Sequence, residues 1–218
     1  MKKIIFCDIP MKSNLKPMVY KGTGNANSKY DQPVIYPINA ILADTISKQD
    51  KIKVVLLRTE NATENNQKNS DLFINELNSI NSKIGAKITY DILDSEFKET
   101  KNNHELRLKQ MIDKIEDNSQ LFADITYGPK PLPMVLICVL SFAEKFLNCD
   151  VKSVVYGKVN FTGENISNPE LYDVTSLYYL NNLTSSMVAK DSKKPEKLWT
   201  NSLHYRKQNG KQKVQRRI

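Results

Sequence analysis

Histidine, tryptophan and paired cysteines are nearly missing from this chain: its 218 residues include 2 His, 1 Trp and 3 Cys. His104 and His204 have no partner at metal-ligand spacing, so no metal centre is expected. Cys7, Cys138 and Cys149 lie in or beside apolar segments without paired spacing. That pattern predicts reduced, buried thiols in a cytoplasmic protein rather than a disulfide framework. Long hydrophobic runs are also missing. The best, Met134 to Ala143, is about half of the roughly 20 residues a membrane span needs. The basic-then-apolar start, Lys2 to Phe6, meets Asp8 too soon for a signal peptide and reads as a first strand. There is no His-Glu-x-x-His, Cys-x-x-Cys or phosphate-loop motif, and no Arg…His ribonuclease pair. Asp94-Ser95-Glu96-Phe97-Lys98 has the spacing of a metal-nuclease string, but it reads as a loop, without the separate strand acid that such enzymes need.

Charge of one sign is scarce except at one end. Ten of the 32 Lys and Arg and two of the 24 acids fall in residues 190–218, so this stretch carries the whole net charge of +8. The rest is neutral. Residues 1–189 therefore read as one domain and 190–218 as a basic C-terminal tail or linker stub. Trp199 and Tyr205 among the basic residues would suit a nucleic-acid arm, although a charged end is more often a solvated terminus.

Short apolar runs alternate with helical patterns. Strands are expected at 2–6, 51–59, 86–93, 121–125, 151–157 and shortly after 170. Helices are expected at 37–48, from an N-cap at Ser70 to Gly85, at 99–118, at 134–147, and at the end of 170–180. Continuous apolar strands separated by helices predict an α/β fold, with a mainly parallel sheet and helices on both faces. Residues 11–36, broken by Pro17, Gly22, Gly24 and Pro33, read as a long polar loop.

In such a sheet ligands lie beyond the carboxyl ends of the strands. Three unusual segments converge there: the loop after the first strand, residues 124–131, and Gly157-Lys158-Val159-Asn160. The middle segment is the most distinctive. Leu121 to Ile125 runs into Asp124, Thr126, Gly128 and Lys130 at alternate positions, then into Pro131 and Pro133 where a helix would begin. A strand tip that feeds a helix N-terminus suits an anion, through free N–H groups and the positive end of the helix dipole. Lys130 would add a cation, Thr126 a hydroxyl, and Gly128 close backbone approach. Lys12, Ser13, Lys158 and Asn160 are candidate secondary contacts. Asp124, inside the strand, is expected to accept hydrogen bonds from neighbouring N–H groups, because an unpaired carboxylate there would cost several kcal/mol.

The run Asp124-Ile125-Thr126-Tyr127-Gly128-Pro129-Lys130-Pro131-Leu132-Pro133 resembles the CRISPR-associated Rossmann-fold (CARF) sensors, whose fourth strand ends in Asp-x-Thr-x-Gly-x-Lys/Arg-x-x-Pro. Val155-Tyr156-Gly157 is similar to the family's fifth strand, and Tyr172-Asp173-Val174-Thr175 with Leu177 and Leu180 to its late strand-to-helix signature. The resemblance covers roughly residues 2–187. It implies a Rossmann-like three-layer sandwich and a homodimer that binds cyclic oligoadenylate, a ring of four or six nucleotides, across its twofold axis. No cofactor is implied. The ligand residues it implies are Thr126, Tyr127, Gly128, Pro129, Lys130 and Gly157, with the 11–36 loop, which shares no clear signature with the family, covering an adenine or the ring; Lys12, Ser13, Lys158 and Asn160 join them from their places at the strand tips. Effector domains usual in the family do not fit in the residues that remain, so the effector would be absent, a separate chain, or missing because this is an excised sensor. A ring nuclease is the alternative, cutting the ring by metal-independent attack of a ribose 2′-OH, with Lys130, Lys12 and Ser13 as the available groups. A nucleic-acid-binding regulator using the basic tail ranks last.

Overall fold

The computed structural model describes residues 1–26, 28–60, 65–96, 98–162 and 165–186. The basic tail, with His204, Trp199 and Tyr205, lies outside them. The chain forms two compact units, Met1–Thr175 and Ser176–Ile218. In the first, strands β1 (Lys2–Asp8), β3 (Lys51–Glu60), β4 (Lys87–Glu96), β5 (Gln120–Asp124) and β6 (Asp150–Thr162) are parallel. Strand β7 (Asn165–Asp173) runs antiparallel to β6, and the short β2 (Lys21–Thr23) pairs in parallel with β7. The seven-stranded sheet has the order β2-β7-β6-β5-β1-β3-β4. The helices are α1 (Pro37–Thr45), α2 (Asn65–Asn81), α3 (Lys101–Ile112), α4 (Leu132–Phe146) and α5 (Thr175–Ser186).

Alternation along the strands sorts the first four helices into two layers. Ile5 and Cys7 of β1 and Ile52, Val54 and Leu56 of β3 join a core with Ile38 and Leu42 of α1 and Phe73 and Leu77 of α2. The intervening residues Asp8, Leu57, Thr59, Leu93 and Ser95 face Arg107 and Met111 of α3 and Leu132 of α4. The result is a Rossmann-like three-layer sandwich. Tyr36 meets Phe73 edge-on at 4.9 Å between ring centres, worth about 0.5–1.5 kcal/mol beyond the area buried.

Several boundaries differ from the sequence pattern. Helix α2 begins at Asn65, so Ser70 is no N-cap: it is buried inside the helix, and its hydroxyl donates to Asn66 O at 2.8 Å. Helix α3 starts after Thr100, whose side chain accepts from Asn103 N, and it ends at Ile112 rather than near 118. Residues 11–36 are not simply a polar loop. They supply the edge strand β2, a bridge between Met18 and Val34, and the buried Tyr20, Val34 and Tyr36. Strand β6 continues past Gly157 to Thr162 and forms a hairpin with β7, so Lys158 and Asn160 lie in a paired strand and not in a loop. Asp94 to Glu96 belong to β4, where Asp94 takes a two-pronged ion pair from Arg58 at 2.7 Å. Cys7 and Cys149 are buried, as expected, but Cys138 is exposed on α4.

Candidate functional site

Strand β1 has β3 on one side and β5 on the other, and the connections run outward from it in both directions. The strand order therefore reverses between β1 and β5, which makes their carboxyl ends the topological switch point where open α/β sheets hold ligands. The segment from Asp124 to Pro131 sits there.

Asp124 ends β5 and is buried. It is the clasp of the region. Its Oδ1 accepts from Thr126 N at 2.8 Å, and its Oδ2 accepts from Ile38 N at 3.1 Å. Ile38 lies in the first turn of α1, and the N-cap residue Tyr36 contributes no side-chain cap. A carboxylate from another strand thus caps that helix, which also favours negative charge at the helix end. Glu76 of α2 adds a second, accepting from Ile35 N at 2.6 Å, Tyr36 N at 3.2 Å and Asn39 Nδ2 at 2.8 Å. The N-terminus of α1 is occupied by the protein's own carboxylates.

The N-terminus of α4 offers a ligand no free donors either. This corrects the expectation that the helix end itself would cradle an anion. Pro131 and Pro133 have no N–H, Leu132 N donates to Pro129 O at 3.0 Å, and Met134 N donates to Pro131 O at 3.0 Å. The donors lie one step earlier: among the described residues, the N–H groups of Tyr127, Gly128 and Lys130 have no acceptor. Lys130 is exposed, and no carboxylate among the described residues pairs with it.

Thr126 is committed to the scaffold. Its Oγ1 accepts from Gly157 N at 2.8 Å, stitching the tip of β5 to β6, and its hydroxyl also bonds Asp124. Gly157 is buried, and a Cβ there would run into Pro37 and Tyr20, so its role is close packing. The Tyr127 hydroxyl donates to Ile35 O at 3.0 Å, and its ring stands edge-on to Tyr36 at 5.8 Å. Burial pushes the Tyr127 phenol far above its ordinary range. These side chains hold the hinge, leaving its backbone and Lys130 to face a ligand.

The outer candidates are dispersed. Lys12 and Ser13 are exposed, on a segment pinned to α2: Asn69 Nδ2 donates to Pro10 O at 2.6 Å and Lys12 O at 2.9 Å. Lys158 pairs with its register partner Glu170 at 3.5 Å, and Asn160 is exposed farther along the hairpin.

Sequence reasoning missed Asp8 and Arg107. Asp8 ends β1 with 4% of its surface exposed, and its Oδ2 has no hydrogen-bond partner among the described residues. That oxygen lies against Gly128, whose φ of +94° belongs to the left-handed region and where any Cβ would overlap it. Burial drives the Asp8 carboxyl up to about 8; the Ile9 N–H and the Arg107 guanidinium oppose the rise, and Asp124 adds to it. Burial also raises Asp124 and the Cys7 thiol above their ordinary ranges, which leaves Cys7 unreactive. Arg107 on α3, 4% exposed, reaches Ser95 Oγ at 3.1 Å, Glu96 O at 2.7 Å and Glu99 Oε2 at 3.1 Å. Asp8, Ser95, Arg58 and Arg107, with Pro129 and Leu132 above, line a cavity of about 20 Å³ beneath the hinge. An acid closing an apolar strand was the one available signal. A lone arginine in a surface-type helix pattern gave none.

No group of His, Cys, Asp or Glu suited to a metal occurs among the described residues, and no helix among them is long and apolar enough to cross a membrane. No protein-family model matches the chain, and no curated protein is significantly similar to it.

Proposed function

We propose that this protein is a CARF-type sensor, acting in the cytoplasm, that binds a cyclic oligoadenylate of four or six nucleotides across a homodimer. Binding would regulate an antiviral effector, in the same polypeptide or a separate one. One observation carries the reading: an unpaired lysine and three unclaimed N–H groups lie within four residues at the switch point, on a segment whose side chains are tied down behind it. A preorganised backbone with one cation suits a phosphodiester, which spreads one charge over two oxygens. A ring of phosphates needs several such cradles, and a twofold supplies two.

Helix α4 supports the dimer. From the hinge outward, Met134 (71% exposed), Cys138, Phe142 and Phe146 (70% exposed) fall on one side of the helix at four-residue spacing, with the Phe142 ring tilted against Phe146 at 4.8 Å. An apolar stripe that starts one turn beyond Lys130 fits a second copy of the same helix, which would bring two hinges around one axis. Phe146→Lys is expected to turn a dimer into a monomer while leaving thermal stability within a few degrees; sedimentation velocity reads this directly.

The decisive assay incubates the protein with labelled cyclic tetra-adenylate and cyclic hexa-adenylate in the presence of EDTA. Saturable binding of an intact ring is the expected result, and failure to bind either ring overturns the proposal. Conversion of the ring to linear fragments would move the reading to a metal-independent ring nuclease. Lys130→Ala is expected to weaken binding at least tenfold in a dimer that remains folded. An unchanged affinity would remove the hinge from the site.

A further inference from the structure

The amino ends of the strands, at the opposite edge of the sheet from the hinge, bear a separate feature. Lys2, Lys51 and Lys87 open β1, β3 and β4 and are direct register partners, Lys2 with Lys51 and Lys51 with Lys87. Strand alternation puts all three on the face that carries α3 and α4, in one row with neighbours about 4.8 Å apart. Lys53 follows two residues along β3, on the same face. Like charges set directly opposite each other weaken a sheet, so this row works against the fold as it stands.

Only part of the charge is answered. Glu116, in the turn after α3, takes Lys2 at 3.1 Å and Lys53 at 2.7 Å. Lys3 points to the other face and pairs with Asp50 at 2.6 Å. Among the described residues, Lys51 and Lys87 have no carboxylate partner. A groove of about 170 Å³ lies over the row, lined by Lys2, Lys51, Lys53, Lys87, Glu116 and Ser119. Ser119 is 1% exposed, and its Oγ has no hydrogen-bond partner among the described residues. Two exposed lysines that are register neighbours without a carboxylate partner, over a groove whose wall includes Ser119 with its unpartnered hydroxyl, suit an oxyanion with several acceptor oxygens.

We infer that this groove binds a phosphoryl anion carrying at least two negative charges, between Lys51 and Lys87, with the Ser119 hydroxyl donating to it. Lysine suits this ligand because it acts as a point charge without demanding the planar geometry of a carboxylate. Glu116 holds Lys2 and Lys53 at the rim and sets a lower limit on the charge needed, since a monoanion gains little beside a fixed carboxylate. The inference does not rest on the hinge reading, because the two sites lie at opposite ends of the strands.

The test is calorimetric titration of the whole chain with inorganic pyrophosphate at constant ionic strength. Saturable binding is expected, at least tenfold weaker in the Lys51→Gln/Lys87→Gln double variant and severalfold weaker in Ser119→Ala. Without pyrophosphate, the double variant should melt higher than the parent protein, because cross-strand repulsion is relieved, which also reports that it has folded. Its affinity for a cyclic oligoadenylate should match the parent's. Pyrophosphate binding that survives the double variant unchanged would place the anion elsewhere and overturn the inference, as would the absence of saturable binding to the parent chain.

Discussion

Asp8→Asn is expected to make the protein more stable at neutral and alkaline pH and no more stable in acid. In the folded chain the Asp8 carboxyl is raised to about 8, mainly by burial, whereas in the unfolded chain it titrates near its ordinary value. A raised acid favours folding fully only below the unfolded value. As pH climbs from about 4 towards 8, the unfolded chain releases this proton while the folded chain must hold it or bury a charge. At about 1.4 kcal/mol per pH unit, the penalty reaches about 4 kcal/mol at pH 7. Asparagine removes the titration but buries an amide with incomplete partners, which returns about 1–3 kcal/mol. The net gain is about 2 kcal/mol near pH 8, or roughly 4–8 °C in melting temperature for a chain of this size. Melting curves from pH 5 to pH 9 would show the two proteins converging in acid and separating above about pH 6. Parallel curves would mean that Asp8 does not titrate in this window.

Gly128→Ala is the second large effect, in the opposite direction. The residue combines left-handed backbone with contact against Asp8 Oδ2. The first costs an L-residue about 1–2 kcal/mol, and forcing a methyl group into packed space costs about 1–3 kcal/mol more. A total loss of about 2–5 kcal/mol is expected in urea unfolding. The two contributions separate in an Asp8→Ala background, where the overlap vanishes and only the backbone cost remains. An equal loss in both backgrounds would show that Asp8 and Gly128 do not press on each other.

How much of this was readable in advance depends on the range of the interactions. The parallel strands stand out because Ile4 to Cys7, Val54 to Leu57 and Leu121 to Ala123 are covered on both faces and must be apolar throughout. The hinge stands out because alternating polar residues interrupt the most apolar part of the chain. Asp124 could be assigned a structural role from burial cost alone, and its bonds to Thr126 and Ile38 bear this out. Only the helix-end share of the anion cradle is corrected, and proline chemistry explains it: two missing N–H groups leave the free donors at Tyr127, Gly128 and Lys130. The pairing of β2 with β7, the long β6–β7 hairpin and the contact of Asp8 with Gly128 were not readable. The first and the last join segments distant in sequence; the hairpin is local, but Pro169 and the polar residues of β7 mask its strand pattern. Arg107 was hidden for a related reason, since its burial depends on Ser95, Glu96 and Glu99 arriving from another strand and loop.

The edge strand β2 has a consequence for solubility. A hairpin ending in β7 would present a full row of unpaired N–H and C=O groups on its outer side, the kind of edge on which a second sheet can grow. Three residues, Lys21 to Thr23, pair with Glu170, Leu171 and Tyr172 and cover part of that row. The chain turns directly after the pairing, where Ala26 N donates to Thr23 O at 3.2 Å, and this brings Ala26 O so close to Gly22 that a side chain would not fit there. The cover is too short to be extended in turn. At the far edge, β4 has no such cover among the described residues and carries Lys87, Asp91, Asp94 and Glu96 along its length, so charge protects one border of the sheet and a clipped strand the other.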